Sequence, residues 1–285
     1  MDKPLSGQTI IITGASSGIG EAAARRCVAD GANVVLFARR AERLTALAAE
    51  LDPSGARVLS VVGDVTREED RARLISDSIA QFGRIDGLVN NAGFGQRGPI
   101  EQVPLDAIRR NFETNVFALL GLTQKVIPVM RAAGRGRIVL IGSVAGKIAR
   151  PLTSTYDATK HALEAFADGL RGELKPFNIH VAMVRPGFII TEFITAADSA
   201  SENVIENLGV YAPYFAAHRS ATATLRRVAG HPDDIAKLIR HALVSASPKS
   251  HYAGPLHAKV LLFLKWALPT RVLDFGGRLR IVKTR

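Results

Sequence analysis

Tyr156 and Lys160 stand four residues apart in the segment Tyr-Asp-Ala-Thr-Lys, and Ser143 lies thirteen residues upstream of the tyrosine. On a helix that spacing puts the tyrosine and lysine on one face, a turn apart. A free phenol ionises near pH ~10, too high for efficient proton exchange at neutrality. A neighbouring ammonium favours the phenolate and lowers that value. Tyr156 is thereby a candidate general acid for reducing a carbonyl and a candidate base for the reverse oxidation. Ser143 is a candidate to hydrogen-bond the substrate oxygen as its charge changes. A lone Tyr or Lys on an amphipathic helix is ordinarily a surface residue, so the pair needs a second motif to carry weight.

Residues 13–20, TGASSGIG, supply it. Gly14, Gly18 and Gly20 follow a strand-like run and open a helical pattern, with Ser16, Ser17 and Ile19 between them. Glycine permits tight turns and lets a phosphate approach the backbone, and the helix start offers free N–H groups and a positive dipole end to a pyrophosphate. The spacing is G-x-x-x-G-x-G, not G-x-G-x-x-G, so the strand-turn-helix setting carries the reading. Eighteen residues past Gly20, at the end of the second strand, stands Ala38, where an NAD site wants a carboxylate for the ribose 2′-hydroxyl. Arg39 and Arg40 follow, and an arginine suits a 2′-phosphate, so the expected cofactor is NADP(H).

The elements that must position these groups alternate regularly. Strand-like runs occupy 8–13, 33–38, 57–62, 87–90, 136–141 and 179–184, several of them continuous in Val, Ile and Leu. Such runs mark strands covered on both faces of a parallel sheet. Helical patterns lie near 18–30, 41–51, 67–82, 105–131 and 155–175, with Gly31, Pro53, Gly83, Gly134 and Pro176 at their ends. The alternation predicts an α/β fold with a doubly wound parallel sheet. No linker or repeat interrupts residues 1–285, which reads as a single domain. After Gly187 the pattern lapses: 188–229 forms a lobe over the strand ends, followed by a helix near 232–246 and a short strand at 250–254. Asn115 sits inside the long pattern 105–131, where Asn is a poor helix former. Its amide is suited to bonding backbone groups, or to holding a water for proton relay.

TGASSGIG, Asp64, the Asn-Asn-Ala-Gly segment at 90–93, Asn115, Ser143, YDATK and the Arg-Pro-Gly at 185–187 together resemble the short-chain dehydrogenase/reductase family over about residues 7–254. The resemblance implies a Rossmann fold and a catalytic tetrad of Asn115, Ser143, Tyr156 and Lys160. It also implies that Lys160 bonds the nicotinamide ribose and that Asp64 and Val65 contact adenine. Asn90 to Gly93, with Asn91 and Ala92, would line the ribose side. Pro186, Gly187, Ile189 and Thr191 would hold the nicotinamide end.

Composition narrows the partners. The net charge is +11, and residues 257–285 carry seven Lys or Arg against one acid, Asp274, a net +6. No zinc-finger spacing or RNA-binding aromatic motif accompanies that charge, so nucleic acid is not an expected partner. Cys27 is the only cysteine and gives neither a disulfide nor a metal cluster, and no metal is expected. The amino terminus shows no secretory signal and no run reaches the ~20 apolar residues of a membrane span, so a cytoplasmic location is expected.

The lobe contains Phe188, Phe193, Tyr211, Tyr214 and Phe215, which fit either a pocket for a bulky apolar carbonyl or a core of the lobe's own. Residues 258–268, AKVLLFLKWAL, are apolar around most of a helix, and Val272, Phe275, Leu279 and Val282 share a face of a second pattern. This basic amphipathic extension, 257–285, is suited to peripheral contact with a membrane, to a subunit interface or to capping the pocket. It resembles extensions of steroid- and retinoid-active members of the same family. The expectation is an NADP(H)-dependent oxidoreductase, a homodimer or homotetramer, acting on a carbonyl or alcohol of a lipophilic, steroid-, retinoid- or lipid-like substrate. Two other readings stay open: a reductase of 3-oxoacyl thioesters on acyl-carrier protein or CoA, and a non-catalytic NADP(H)-sensing protein.

Overall fold

The computed structural model describes residues 3–225 and 228–273. Seven parallel strands form one sheet in the order β3-β2-β1-β4-β5-β6-β7. They are β1 Thr9–Thr13, β2 Asn33–Ala38, β3 Val58–Val62, β4 Gly87–Asn90, β5 Gly136–Ile141, β6 Ile179–Pro186 and β7 His251–Gly254. The crossover helices include α1 Gly18–Ala29, α2 Ala41–Leu51, α3 Glu68–Phe82, α4 Leu105–Phe112, α5 Ala118–Ala132 and α6 Ser154–Leu174. The doubly wound sheet is thus as the alternation predicts, and the strand order reverses between β1 and β4, which opens a crevice at their carboxyl ends.

Continuous apolar strands are explained by two cores, one on each face. Ile10 and Ile12 of β1 pack with Ala23, Ala24 and Cys27 of α1 and Leu44 of α2. Ile11, the residue between them, points the other way into a core with Leu74 of α3, Leu122 and Met130 of α5 and Leu163 of α6. A strand whose successive side chains face opposite sides needs both sets apolar when both faces are covered. Burial of Cys27 pushes its thiol up to about 12, so it is a core residue and not a nucleophile.

Three stretches depart from the expected pattern. The single helix expected over 105–131 is α4 and α5 joined by a π-helical segment, Glu113–Phe117, in which the Ala118 N–H bonds the Glu113 carbonyl. Strand β6 runs to Pro186, two residues beyond its apolar run. The lobe without a clean period contains α7 Phe193–Ala200, α8 Glu202–Ile205 and α9 Ala212–Leu225. Then α10 Pro232–Val244 packs on α1, and α11 Leu256–Ala267 follows β7. On α11, Trp266 is 82% and Phe263 61% exposed, with the two rings 5.9 Å apart. No helix among the described residues is long and apolar enough to cross a membrane. Phe275, Leu279 and Val282 of the second tail pattern lie outside the described residues.

Candidate active site

The glycine turn is closed by sterics as well as by sequence. A Cβ at Gly20 would fall 2.3 Å from the Gly14 carbonyl oxygen, and one at Gly14 (φ 65°) would fall 2.9 Å from Asn91 Nδ2. That close approach is stitched by Asn91, whose Nδ2 donates to the carbonyls of Thr13 (3.0 Å) and Gly14 (3.2 Å). The Asn91 and Ala92 N–H groups both donate to Thr13 Oγ1. The Asn-Asn-Ala-Gly segment therefore locks the end of β4 against the turn after β1. Gly18 (φ 61°) leaves room for Thr191, whose Cγ2 is 3.0 Å from where a Cβ would sit.

A cleft of about 490 Å³ runs from this turn to Tyr156. Gly14, Ser16 to Ile19, Ala38 to Arg40, Asp64, Val65 and Asn91 to Gly93 line one part of it. Ser143, Tyr156, Lys160, Pro186, Gly187, Ile189 and Thr191 line the rest. Of the expected site residues, Gly20, Asn90 and Asn115 are not on this wall: Gly20 is packed under the turn, Asn90 is buried with its Nδ2 donating to Thr123 Oγ1, and Asn115 is buried behind Gly93. Asp64 caps its own loop, accepting from Thr66 N–H and Oγ1. Of the two arginines, Arg40 is the anchored one: it donates to Ser16 Oγ, to Ser17 Oγ (2.6 Å) and to Glu192 (2.7 Å). Arg39 is 79% exposed and stands 3.8 Å from Asp64. The glycine cradle and the helix start that follows it fit the pyrophosphate of a nicotinamide dinucleotide.

At the other end, α6 presents Tyr156 and Lys160 a turn apart, with the Lys160 Nζ 5.7 Å from the tyrosine ring centroid. The expected depression of the phenol is not what this arrangement produces. Burial pushes Tyr156 up to about 12, against a smaller downward pull from its hydrogen bond with Ser143. Burial likewise pushes Lys160 down to about 8. The lysine's ammonium is turned to the Ile141 carbonyl at 2.8 Å, and desolvation is the leading cause at both groups.

Asn115 lies in the π segment, a distortion frequent at functional sites. Its Oδ1 accepts from Phe94 N–H (3.0 Å), and its Nδ2 donates to the Phe94 carbonyl (2.9 Å) and to Thr159 Oγ1 (3.1 Å). Thr159 Oγ1 in turn donates to the Tyr156 carbonyl. The amide thus ties the loop after β4 to the helix that carries Tyr156.

The lobe aromatics divide. Phe188 and Phe193 face the cleft, with the Phe193 ring 5.4 Å from that of Tyr156 and tilted 58° to it, whereas Phe215 and Tyr211 fill a small core with Leu152 and Leu208. Four charged or titratable cleft residues were not singled out in the sequence: Arg97, Arg150, Glu192 and His218. Arg97 and Arg150 follow the carboxyl ends of β4 and β5, where open α/β sheets bind ligands, and that position was the available signal. His218 on α9 gave none.

A sequence profile of the short chain dehydrogenases matches residues 8–202. An Escherichia coli relative, described as the uncharacterized oxidoreductase YbbO, is 32% identical over 94% of this chain and 93% of its own length. A short-chain dehydrogenase structure from Streptomyces avermitilis superposes with a TM-score of 0.76 at 34% identity, covering 95% of this chain and 93% of that one. The 3-ketoacyl-(acyl-carrier-protein) reductase of Brucella melitensis, solved with NADH, gives 0.72 at 25% identity over 87% of this chain and 96% of its own. With a profile match over most of its length and relatives matched nearly end to end, this chain belongs to the short-chain dehydrogenase/reductase family.

Proposed function

We propose that the protein is an NADP(H)-dependent oxidoreductase that interconverts a carbonyl and an alcohol on a largely apolar substrate. The observation that carries this is the convergence of Ser143, Tyr156 and Lys160 on one cleft with the glycine turn and Arg40. When bound, the nicotinamide supplies hydride to the carbonyl carbon in reduction and accepts it in oxidation. Tyr156 holds the proton that the substrate oxygen takes up, and burial, by raising its pKa, keeps it protonated at neutral pH. Ser143, whose Oγ is oriented by the Ala145 N–H, bonds the same oxygen as negative charge develops there. Lys160 contributes positive charge beside the phenol and bonds the ribose, and Asn115 keeps Phe94 and α6 in register.

Tyr156→Phe removes the proton donor and no glycine-turn contact. It is expected to abolish turnover of a broad ketone and aldehyde panel while NADPH binding stays within about twofold; substantial residual activity would sink the assignment. Arg40→Ala is expected to weaken NADPH far more than NADH, because only the former carries the phosphate. The reading includes a homodimer or homotetramer with peripheral membrane contact through 257–285, supported by the exposed Trp266 and Phe263 among Lys259, Lys265 and Arg271. Vesicle flotation with and without that extension tests the contact, and equal flotation removes it. A second reading, reduction of a 3-oxoacyl thioester, is favoured by the basic surface and by the likeness to the Brucella melitensis reductase.

A further inference from the structure

Three segments far apart in the chain bring polar groups to the cleft beyond Tyr156. Arg97 comes from the loop after β4, Arg150 from the loop before α6 and His218 from α9. Around them the wall is apolar, with Phe188, Phe193 and Ile194. A pocket for a purely hydrocarbon substrate has no use for two guanidinium groups, and burying them is costly unless they are paired.

Each arginine does have a carboxylate, and the pairing is incomplete. Arg97 bonds Asp198 through Nη1 at 2.6 Å. Arg150 reaches Asp157 Oδ1 through Nη2 at 3.1 Å, but the other oxygen of Asp157 is taken by the Arg150 backbone N–H (2.7 Å) and Thr153 Oγ1 (2.9 Å). Arg150 therefore makes a single bond where a bidentate pair would make two. Its Nε and the Nδ1 of His218 are both buried without a hydrogen-bond partner among the described residues.

The field on this wall is positive. Burial chiefly holds the His218 imidazole down at about 4, and the repulsion from Arg150 and then Arg97, each larger than the attraction of Asp198, adds to it. His218 is accordingly neutral at pH 7, able to donate from one ring nitrogen. At Tyr156 as well, Arg150 outweighs Asp157. A further negative charge placed here would gain what the two carboxylates leave unsatisfied.

We propose that the substrate carries an anionic group, a carboxylate or a phosphate monoester, bound between Arg97 and Arg150 beside His218, with its apolar body on the phenylalanines and its carbonyl at Tyr156. The proposal rests on the oxidoreductase reading above. It makes the substrate amphiphilic, with an acidic end held deep in the cleft.

The test uses the full-length protein with NADPH and four ketones of one chain length: an oxo-acid, its methyl ester, an oxo-alkyl phosphate and the matching oxo-alcohol. An anion preference of about tenfold or more in kcat/KM is expected, as a charge-assisted hydrogen bond gives. Preference for the acid or for the phosphate says which anion the site takes. In Arg150→Gln the anion-to-neutral ratio is expected to collapse by about 10- to 100-fold, chiefly through KM, with Arg150→Lys recovering part of it. Because Arg150 also braces the start of α6, competitive inhibition of the wild type provides a second measurement. A fatty acid should inhibit about tenfold more strongly than the fatty alcohol of equal length. Equal turnover of anions and neutral ketones, or equal inhibition by acid and alcohol, overturns the proposal and leaves the oxidoreductase reading intact. No turnover of any of the four overturns both.

Discussion

Asn115→Ala isolates the joint between the loop after β4 and the helix carrying Tyr156. The asparagine is buried and its amide makes three bonds. Two partners keep others after truncation: the Phe94 carbonyl still accepts from Asn111 Nδ2 at 2.9 Å, and Thr159 Oγ1 still donates to the Tyr156 carbonyl at 2.7 Å. The group stranded is the Phe94 N–H. Leaving one buried donor unmade costs ~1–3 kcal/mol. With the lost packing, the expected destabilisation is about 2–3 kcal/mol, or roughly 5 °C or more in Tm for a chain of this size. Activity should fall further than stability, because Arg97 and Gly93 lie on the loop that Phe94 anchors. Asn115→Asp sharpens the test. Its carboxylate would still accept from Phe94 N–H but, when ionised, would face the Phe94 carbonyl. The variant's folded-state value would be raised above the unfolded ~3.9. The folded state then binds more protons than the unfolded one, so relative stability should fall as pH rises from about 4 toward 7. Urea melts across that range, with NADPH titration at each pH, provide the readout. An Asn115→Ala protein that melts within about 1 °C of the parent, or an Asn115→Asp protein with no pH trend, would refute the reasoning.

Three more outcomes follow from the same geometry. Gly20→Ala drives a Cβ into the Gly14 carbonyl 2.3 Å away, so the turn must open; fluorescence titration should show NADPH binding lost even where circular dichroism shows a folded protein. Burial holds Lys160 down at about 8, so the unfolded chain binds its proton more tightly, and stability should rise with pH between about 8 and 10.4. Lys160→Met should flatten that rise in urea melts, and an unchanged slope would disprove it. Glu192 bridges Arg40 and Arg43 at 2.7 Å each, and they hold its carboxyl down at about 2. The pairing is fully present above about pH 4–5 and is lost as pH falls toward 2. Glu192→Gln should tighten NADPH several-fold relative to NADH by freeing both arginines; parallel changes for the two cofactors would argue against that.

Much of the site was legible because its chemistry is local in sequence. The glycine turn, the Ala38-Arg39-Arg40 junction and the Tyr156–Lys160 turn each fit within one strand end or one helix face, so spacing alone places their groups. The tyrosine's acidity was not legible. Spacing puts Lys160 beside Tyr156, but the Ile141 carbonyl that holds the ammonium comes from β5, and burial decides the balance. Asn115 was visible as an odd residue in a helix, while the π segment and its bonds to Phe94 were not, since they need the loop after β4 folded back onto α4 and the π segment. Arg97, Arg150 and His218 come together from positions more than fifty residues apart, across strand ends that pair only in the sheet.

The sheet, the glycine turn and the candidate proton donor could be read from the chain alone, because continuous apolar runs, helical patterning and short spacings are properties of contiguous residues. Only the tertiary structure decided how those groups titrate and what charge the cleft beyond them presents. Desolvation and the net field at a point depend on every element that surrounds it, and those elements are neighbours in space alone.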